Sequence, residues 1–145
     1  MPEVTQEQFN RAITLAGVER DQAKYTDFNR RARYERIEAI CIDLVAKEKA
    51  AGLPTDYTVL NQLERREARL KYIEIQDNKC FYCHKSLDWN PPQEILAKEI
   101  NWHLFPGGRN FLNHPIHLQH NHNTGMTEGA VHAYCNAFLW QYEGR

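Results

Sequence analysis

The stretch LQHNHNTGMTEGAVHAYCN, residues 118–136, decides the fold, because it places a turn between two groups of potential metal-binding side chains. IHLQH predicts a short strand, HNTG a turn, MTEGAV a second strand and AYCNAFLWQYE a closing helix. All seven histidines of the chain lie at or after position 84. We therefore expect scaffold in the first half of the chain and chemistry in the second.

Two short motifs predict a metal ion. CFYC contains Cys80 and Cys83, and HAYC contains His132 and Cys135, so each motif places two ligands three positions apart. A redox dithiol shares the C-x-x-C spacing but needs no second pair, whereas three cysteines and one histidine form a tetrahedral set of structural zinc. The sequence thus predicts one structural zinc whose four positions are all filled by protein: Cys80, Cys83, His132 and Cys135.

The first 78 residues predict a helical scaffold. A capping-box pattern, TQEQ, starts a first helix, and a second helix over about residues 26–51 has an apolar stripe that includes Ile37, Cys41 and Leu44. AGLPT ends the second helix, because glycine suits the C′ position and proline prevents continuation. A third helix over about residues 56–77 is expected to bury four side chains: Tyr57, Leu60, Leu63 and Leu70.

The composition is that of an ordinary globular chain, with 145 residues, 42% of them hydrophobic, 26% charged, and a net charge of −1. A protein that coats nucleic acid is usually strongly basic, so any nucleic-acid contact must come from local patches or a bound metal. No apolar run of about 18 residues predicts a membrane span, and the first residues resemble no secretion signal. We expect a cytoplasmic protein without a membrane partner.

Together the motifs resemble the HNH, or ββα-metal, nucleases, most closely the recombination endonuclease VII group common in bacteriophages. That group's pattern is C-x-x-C, then D-H-x-H-x-T-G, then R-G, two hydrophobic residues and C-x-x-C-N. The sequence offers CFYC, QHNHNTG and EGAVHAYCN, and the resemblance covers about residues 72–142. It implies an α+β protein, with a helical scaffold and DNA-contact region over residues 1–78 and a zinc-knuckle nuclease region over 79–145 that contains a long loop at 88–115.

The resemblance implies a metal-dependent DNA endonuclease that hydrolyses phosphodiester bonds, leaving a 5′ phosphate and a 3′ hydroxyl. His120 matches the general base, His122 a substrate or phosphate contact, and Asn136 a ligand of a catalytic Mg²⁺ or Mn²⁺. Gln119 stands where the family usually has a metal-binding acid, and its amide oxygen carries no charge. The helical region would grip the DNA backbone through four arginines: Arg30, Arg31, Arg33 and Arg36.

Other interpretations stay open at this level. The chain could be a weakened nuclease fold that serves as a zinc-binding module for DNA or a protein partner, or a redox dithiol protein. A monomer would nick DNA, and a homodimer could cut both strands. The remaining features have ordinary interpretations: the basic cluster RREARLK is typical of a solvated helix face, and the isolated polar and aromatic residues are typical of surface and packing positions, namely His103, His114, His117, Trp102, Phe105 and Phe111.

Overall fold

The chain is a mixed α+β protein, as the sequence predicts. The computed structural model describes residue 12 and residues 27–144, without the side chains of 27–34. Three 3-10 helices cover Tyr57–Val59, Trp102–Leu104 and Gly108–Asn113. The longer elements are α1 (Asp27–Ala51), α2 (Gln62–Ile75), α3 (Gln93–Leu96), β1 (Ile116–His120), β2 (Thr127–His132) and α4 (Ala133–Glu143).

Helix α1 follows the predicted apolar stripe. Ile37, Cys41 and Leu44 are buried one turn apart, which confirms Cys41 as a core residue. The predicted first helix lies outside the described residues except for Ala12, which is helical and packs against Ile37 and Cys41. Gly52 ends α1 with a φ of +74°, the left-handed conformation that glycine adopts readily. Within the described part of the chain, no helix is long and apolar enough to cross a bilayer.

The two strands form an antiparallel hairpin at the predicted positions. Ile116 lies opposite His132 and His120 lies opposite Thr127, with an irregularity in the register between Gln119 and His120. The turn is built by Asn121, whose side-chain oxygen accepts two backbone N–H groups, at 2.8 and 3.1 Å. Asparagine suits this position because its short side chain can hydrogen-bond the backbone just ahead of it.

A segment from the first half of the chain is hydrogen-bonded to this turn. We call residues 55–58 the strap. The N–H of Tyr57 donates to the carbonyl of Gly125 at 2.8 Å, and the N–H of Thr127 donates to the carbonyl of Thr55 at 2.8 Å. A Cβ on Gly125 would lie 3.1 Å from Oδ1 of Asp56, and residue 125 has a φ of +77°, so glycine suits both the close approach of the strap and the turn. The strap therefore fixes Tyr57 beside the end of β1.

Helix α2 and the residue that follows its last turn, Gln76, pack on the hairpin through side chains four positions apart. Ala68, Tyr72 and Gln76 are buried, and the Tyr72 hydroxyl lies 2.8 Å from Oγ1 of Thr127. The Gln76 amide is paired with the backbone of Ala130, accepting its N–H at 2.8 Å and donating to its carbonyl at 2.9 Å. Gln76 thus pairs the backbone N–H and carbonyl of Ala130 in β2, which a third strand would otherwise have to pair.

This packing makes part of the sequence expectation wrong. Leu63 is 62% exposed and Leu70 is 53% exposed, so neither is an inward residue of the third helix. That helix begins at Gln62, where Asn61 caps it, and not near residue 56. The leucines face away because α2 turns its alanine, tyrosine and glutamine toward the hairpin, whose edge offers backbone polar groups as well as apolar surface.

The long segment 88–115 packs against α4. Phe105, Ile100 and Ala137 form a small buried cluster, and the Tyr134 hydroxyl donates to the carbonyl of Lys98 at 2.8 Å. The main core joins residues from both sides of position 78: Leu53, Ala68, Tyr72, Cys80, Phe81, Leu87, Leu118, Ala130, Val131 and Cys135.

Candidate functional site

The four predicted zinc ligands come together in one cluster. One ligand atom from each of Cys80, Cys83, His132 and Cys135 lies within 4.8 Å of all the others. Nδ1 of His132 is 3.3 Å from Sγ of Cys83 and 3.6 Å from Sγ of Cys135. In a tetrahedral zinc site, bonds of about 2.3 Å to sulfur and 2.1 Å to nitrogen place these atoms roughly 3.6 Å apart. The cluster can therefore hold a structural metal ion such as zinc.

The surroundings of the cluster orient its ligands. Nε2 of His132 is 2.9 Å from the carbonyl oxygen of Ser86, to which it can only donate, so Nδ1 is left as the metal-binding nitrogen. The N–H of Cys80 donates to the carbonyl of Lys85 at 2.8 Å, and the N–H of His84 donates back to the carbonyl of Cys80 at 3.0 Å. These bonds close the tight turn that brings the first two thiols together.

The thiols and the imidazole of the cluster shift one another's pKa, because they lie within hydrogen-bonding distance. Burial would raise the pKa of Cys80, but hydrogen bonds from Cys135, Cys83 and His132 outweigh burial and hold that pKa well below its usual value. Burial lowers the pKa of His132, and its contacts with Cys80 and Cys83 outweigh this and raise it to about 10. Three sulfur atoms around one imidazole form a donor set that suits a zinc ion.

A second feature is a cavity of about 1000 Å³ bordered by α2, β1, α4 and the segment 104–114. The three predicted catalytic residues, His120, His122 and Asn136, all line it. Asn136 directly follows the cluster residue Cys135 on α4, so one helix turn contributes to both sites. The cavity therefore adjoins the Cys₃His cluster at this point of the chain.

His120 is held by aromatic stacking. Its ring lies 3.9 Å from the Tyr57 ring at an interplanar angle of 6°, and 4.7 Å from the His122 ring. The Arg65 guanidinium also lies 3.9 Å from the Tyr57 ring centre. Burial lowers the pKa of His120, and the charges of His122 and Arg65 lower it further. At neutral pH the imidazole is thus uncharged and able to accept a proton.

The sequence favours an ordinary strand position for His117, whereas in the structure His117 lines the cavity. Its Nδ1 lies 3.1 Å from Nδ2 of Asn136, an arrangement in which the amide donates to the ring. Burial lowers the pKa of His117 to about 4, and hydrogen bonds from its ring to the backbone of Phe111 and His114 only partly oppose this. The signal in the sequence was its position in β1, three residues before His120, but that spacing alone does not distinguish it from an ordinary strand histidine.

The walls of the cavity differ in character. Arginines from the cluster RREARLK line the α2 side, and the positive charge of Arg69 contributes to the low pKa of His117. No aspartate or glutamate lines the cavity among the described side chains. The electrostatic character of this wall favours an anion. The α2 side is lined by Gln62, Leu63, Arg65, Arg66 and Arg69, and the segment 104–114 and α4 add Leu104, Phe105, Phe111 and Trp140.

The other residues that the sequence singled out lie elsewhere. Gln119 is 1% exposed, does not line the cavity, and its Nε2 donates to the carbonyl of His120 at 3.1 Å. Arg36 is exposed on α1 and also does not line the cavity. The side chains of the remaining arginines lie outside what the structure describes: Arg30, Arg31 and Arg33.

Comparison of the chain with protein-family models, with curated proteins and with solved structures finds no match.

Proposed function

We propose that this chain is a metal-dependent DNA endonuclease of the ββα-metal type, with His120 as the general base. The observation that supports the proposal most is the meeting of His120, His122 and Asn136 in one arginine-lined cavity beside the Cys₃His cluster. Tyr57 and α2, which lie outside the hairpin–helix segment that contains the motif, also line the cavity.

His120 has the properties that a base for water activation needs. It is uncharged at neutral pH, since burial lowers its pKa, and its ring is clamped against Tyr57. A base near a phosphodiester accepts a proton from water as the water attacks phosphorus, and such a positioned group typically contributes about 10²–10⁴ in rate. Arg65 and Arg69 are placed to hold the phosphate oxygens, because guanidinium groups match their geometry.

A divalent ion in the cavity would be held by Nδ1 of His117 and by the side-chain oxygen of Asn136, with that amide turned over from its hydrogen bond to His117, together with oxygens of the phosphate. One nitrogen and one neutral amide oxygen suit a borderline ion such as Mn²⁺ better than Mg²⁺, which prefers carboxylate oxygens. When bound, such an ion would neutralise charge on the scissile phosphate. We therefore expect a preference for Mn²⁺ over Mg²⁺, in place of a site built on Gln119.

Plasmid nicking tests the proposal. The protein is incubated with supercoiled DNA and Mg²⁺ or Mn²⁺, beside the variants His120→Ala and His103→Ala. His103 is the matched control, because it is an exposed histidine that does not line the cavity. We expect His120→Ala to cut at least about 10²-fold more slowly and His103→Ala to match the wild type. Equal cutting by all three proteins would sink the assignment of His120.

A binding module is the second candidate. It is favoured by the lack of any described carboxylate in the cavity lining, which lowers the affinity for a hard cation. This candidate predicts salt-sensitive DNA binding that requires Arg65 and Arg69, and no strand breaks with either ion. Binding without cleavage would replace the endonuclease proposal by this one.

A further inference from the structure

The apolar side of the cavity is a continuous row of aromatic rings. Trp140 lies 5.1 Å from Phe105, Phe105 lies 4.8 Å from Phe111, and Phe111 meets the His117 ring edge-on at 4.5 Å. The row therefore runs from an exposed tryptophan to the histidine that contacts Asn136. Phe105 is buried, so it supports Trp140 from behind and limits the movement of the indole.

The outer end of this row is open to a ligand. Trp140 is 38% exposed and Leu104 is 47% exposed, and both line the cavity. Arginines 65, 66 and 69 border the same space from α2. A ligand that fills the cavity must thus offer an anionic part and a flat apolar face within a short distance of each other. A nucleotide has both, since its phosphate and its base are joined through one sugar.

Single-stranded and duplex nucleic acids differ in whether the flat apolar faces of their bases are accessible to a protein. In a continuous duplex both faces of each base are covered by stacked neighbours, so a duplex presents only phosphates, sugars and base edges to a protein. An unpaired base can swing out and stack on an aromatic side chain, with a gain that does not depend on sequence. A wall of aromatic rings beside a phosphate site therefore matches unpaired nucleotides.

We propose that Trp140 and Leu104, supported by Phe105, form a subsite for an unstacked nucleobase, so that the cavity prefers single-stranded DNA over continuous duplex. The proposal rests on the proposed function for the presence of DNA in the cavity. It adds which form of DNA is preferred and which residues select it.

Binding without added divalent ions tests the subsite, because no cutting then interferes. The probes are a short fluorescein-labelled oligothymidylate, an abasic oligomer of equal length and charge, and a blunt duplex, followed by fluorescence anisotropy. We expect the wild type to bind oligothymidylate about tenfold more tightly than the abasic oligomer, the size expected for one base–aromatic stack. We also expect weaker binding of the duplex than of oligothymidylate.

Substitution at two exposed tryptophans localises the effect. Trp140→Leu should remove the preference for oligothymidylate over the abasic oligomer and leave abasic binding unchanged. Trp89→Leu is the matched control, because Trp89 is 75% exposed and does not line the cavity, and it should bind like the wild type. Trp140→Phe keeps a ring against Phe105 and should keep most of the preference, which covers the case in which Trp140→Leu folds poorly.

Two results would overturn the subsite: abasic binding as tight as oligothymidylate binding in the wild type, or equal effects of Trp140→Leu and Trp89→Leu. Neither result bears on plasmid nicking. Conversely, a wild type that cuts no DNA but shows a Trp140-dependent base preference removes the endonuclease proposal and leaves the subsite in place.

Discussion

The Cys₃His cluster and the cavity lie next to each other on α4, yet they are built in opposite ways. Cys135 faces a buried cluster whose four ligand atoms are within 4.8 Å of one another. Asn136, the next residue, faces a cavity of about 1000 Å³ with three arginines and an exposed tryptophan. The first arrangement leaves no ligand position for a substrate, and the second has room for one. The comparison separates a closed cluster suited to a structural ion from an open cavity suited to a ligand.

The largest expected effect is on the cluster side. Cys135→Ser removes the ligand that ties α4 to the turn at Cys80, so we expect loss of zinc and of cooperative thermal unfolding. Structural zinc contributes apparent binding energies of about 10–16 kcal/mol in small domains, which is comparable to the whole stability of a domain this size. Elemental analysis and circular dichroism during heating measure both quantities.

Cys41→Ala is the control for that change, because Cys41 is also buried but belongs to the α1 cluster with Ile37. It should lose some stability and keep one zinc per chain. Full zinc content and an unchanged melting temperature in Cys135→Ser would mean that the cluster is not a metal centre.

The next effect concerns β2, which supplies His132 to the cluster. A Cβ on Gly129 would lie 2.7 Å from Oε1 of Gln76 and 3.1 Å from Cβ of Phe81. Gly129→Ala should therefore destabilise the protein by about 1–3 kcal/mol, as overpacked positions do. Urea unfolding measures this. Adding Gln76→Ala should relieve part of the clash, so that the double variant is more stable than the sum of the single effects indicates; additive losses would contradict the packing described.

A smaller effect is expected on the cavity side. Tyr57→Leu removes the ring that stacks on His120, and aromatic pairs contribute about 0.5–1.5 kcal/mol beyond burial. On the proposed function, we expect cleavage to slow about tenfold while the zinc content stays at one. Tyr57→Phe keeps the ring and should cut at nearly the wild-type rate in single-turnover nicking. If Tyr57→Phe is as slow as Tyr57→Leu, stacking is not what positions the base.

The smallest effect is a shift of the pH profile. Burial, then the charges of His122 and Arg65, lower the pKa of His120. Because a base works in its unprotonated form, cleavage should persist below the ordinary histidine pKa of about 6.5 and fall only at lower pH. His122→Gln removes one of the neighbouring charges, so the acid limb of the cleavage rate should move to higher pH. If the acid limb of the pH–rate profile of His122→Gln moves to lower pH instead, His120 is excluded as the titrating group.

The same contrast explains what the sequence could predict. The cluster depends on two local spacings, CFYC and HAYC, and its four ligands were all predicted. The strand Ile116–His120 and the helix Ala133–Glu143 were also predicted, because period-two and helical patterns are local. Structure at this level is encoded over a few neighbouring positions.

The cavity could not be predicted in the same way. Tyr57, Arg65 and Arg69 reach it only because α2 packs on the hairpin through Ala68, Tyr72 and Gln76. The face that packs on the hairpin contains one alanine and two side chains with polar groups, so the leucine pattern predicts the wrong side of the helix. The arginines that line the cavity belong to a cluster that resembles any solvated helix face, and their role depends on long-range packing.

The strap has a consequence for the order in which the molecule is assembled. Thr55 and Thr127 are hydrogen-bonded although they are 72 positions apart in the chain. During synthesis Tyr57 leaves the ribosome long before the turn that it must contact, and such distant pairings form late. On the proposed function, a growing polypeptide would expose its basic and aromatic surfaces while lacking an organised proton acceptor. We expect hydrolytic competence to arise only once the turn has emerged as well, which spares nearby nucleic acid from shorter nascent chains.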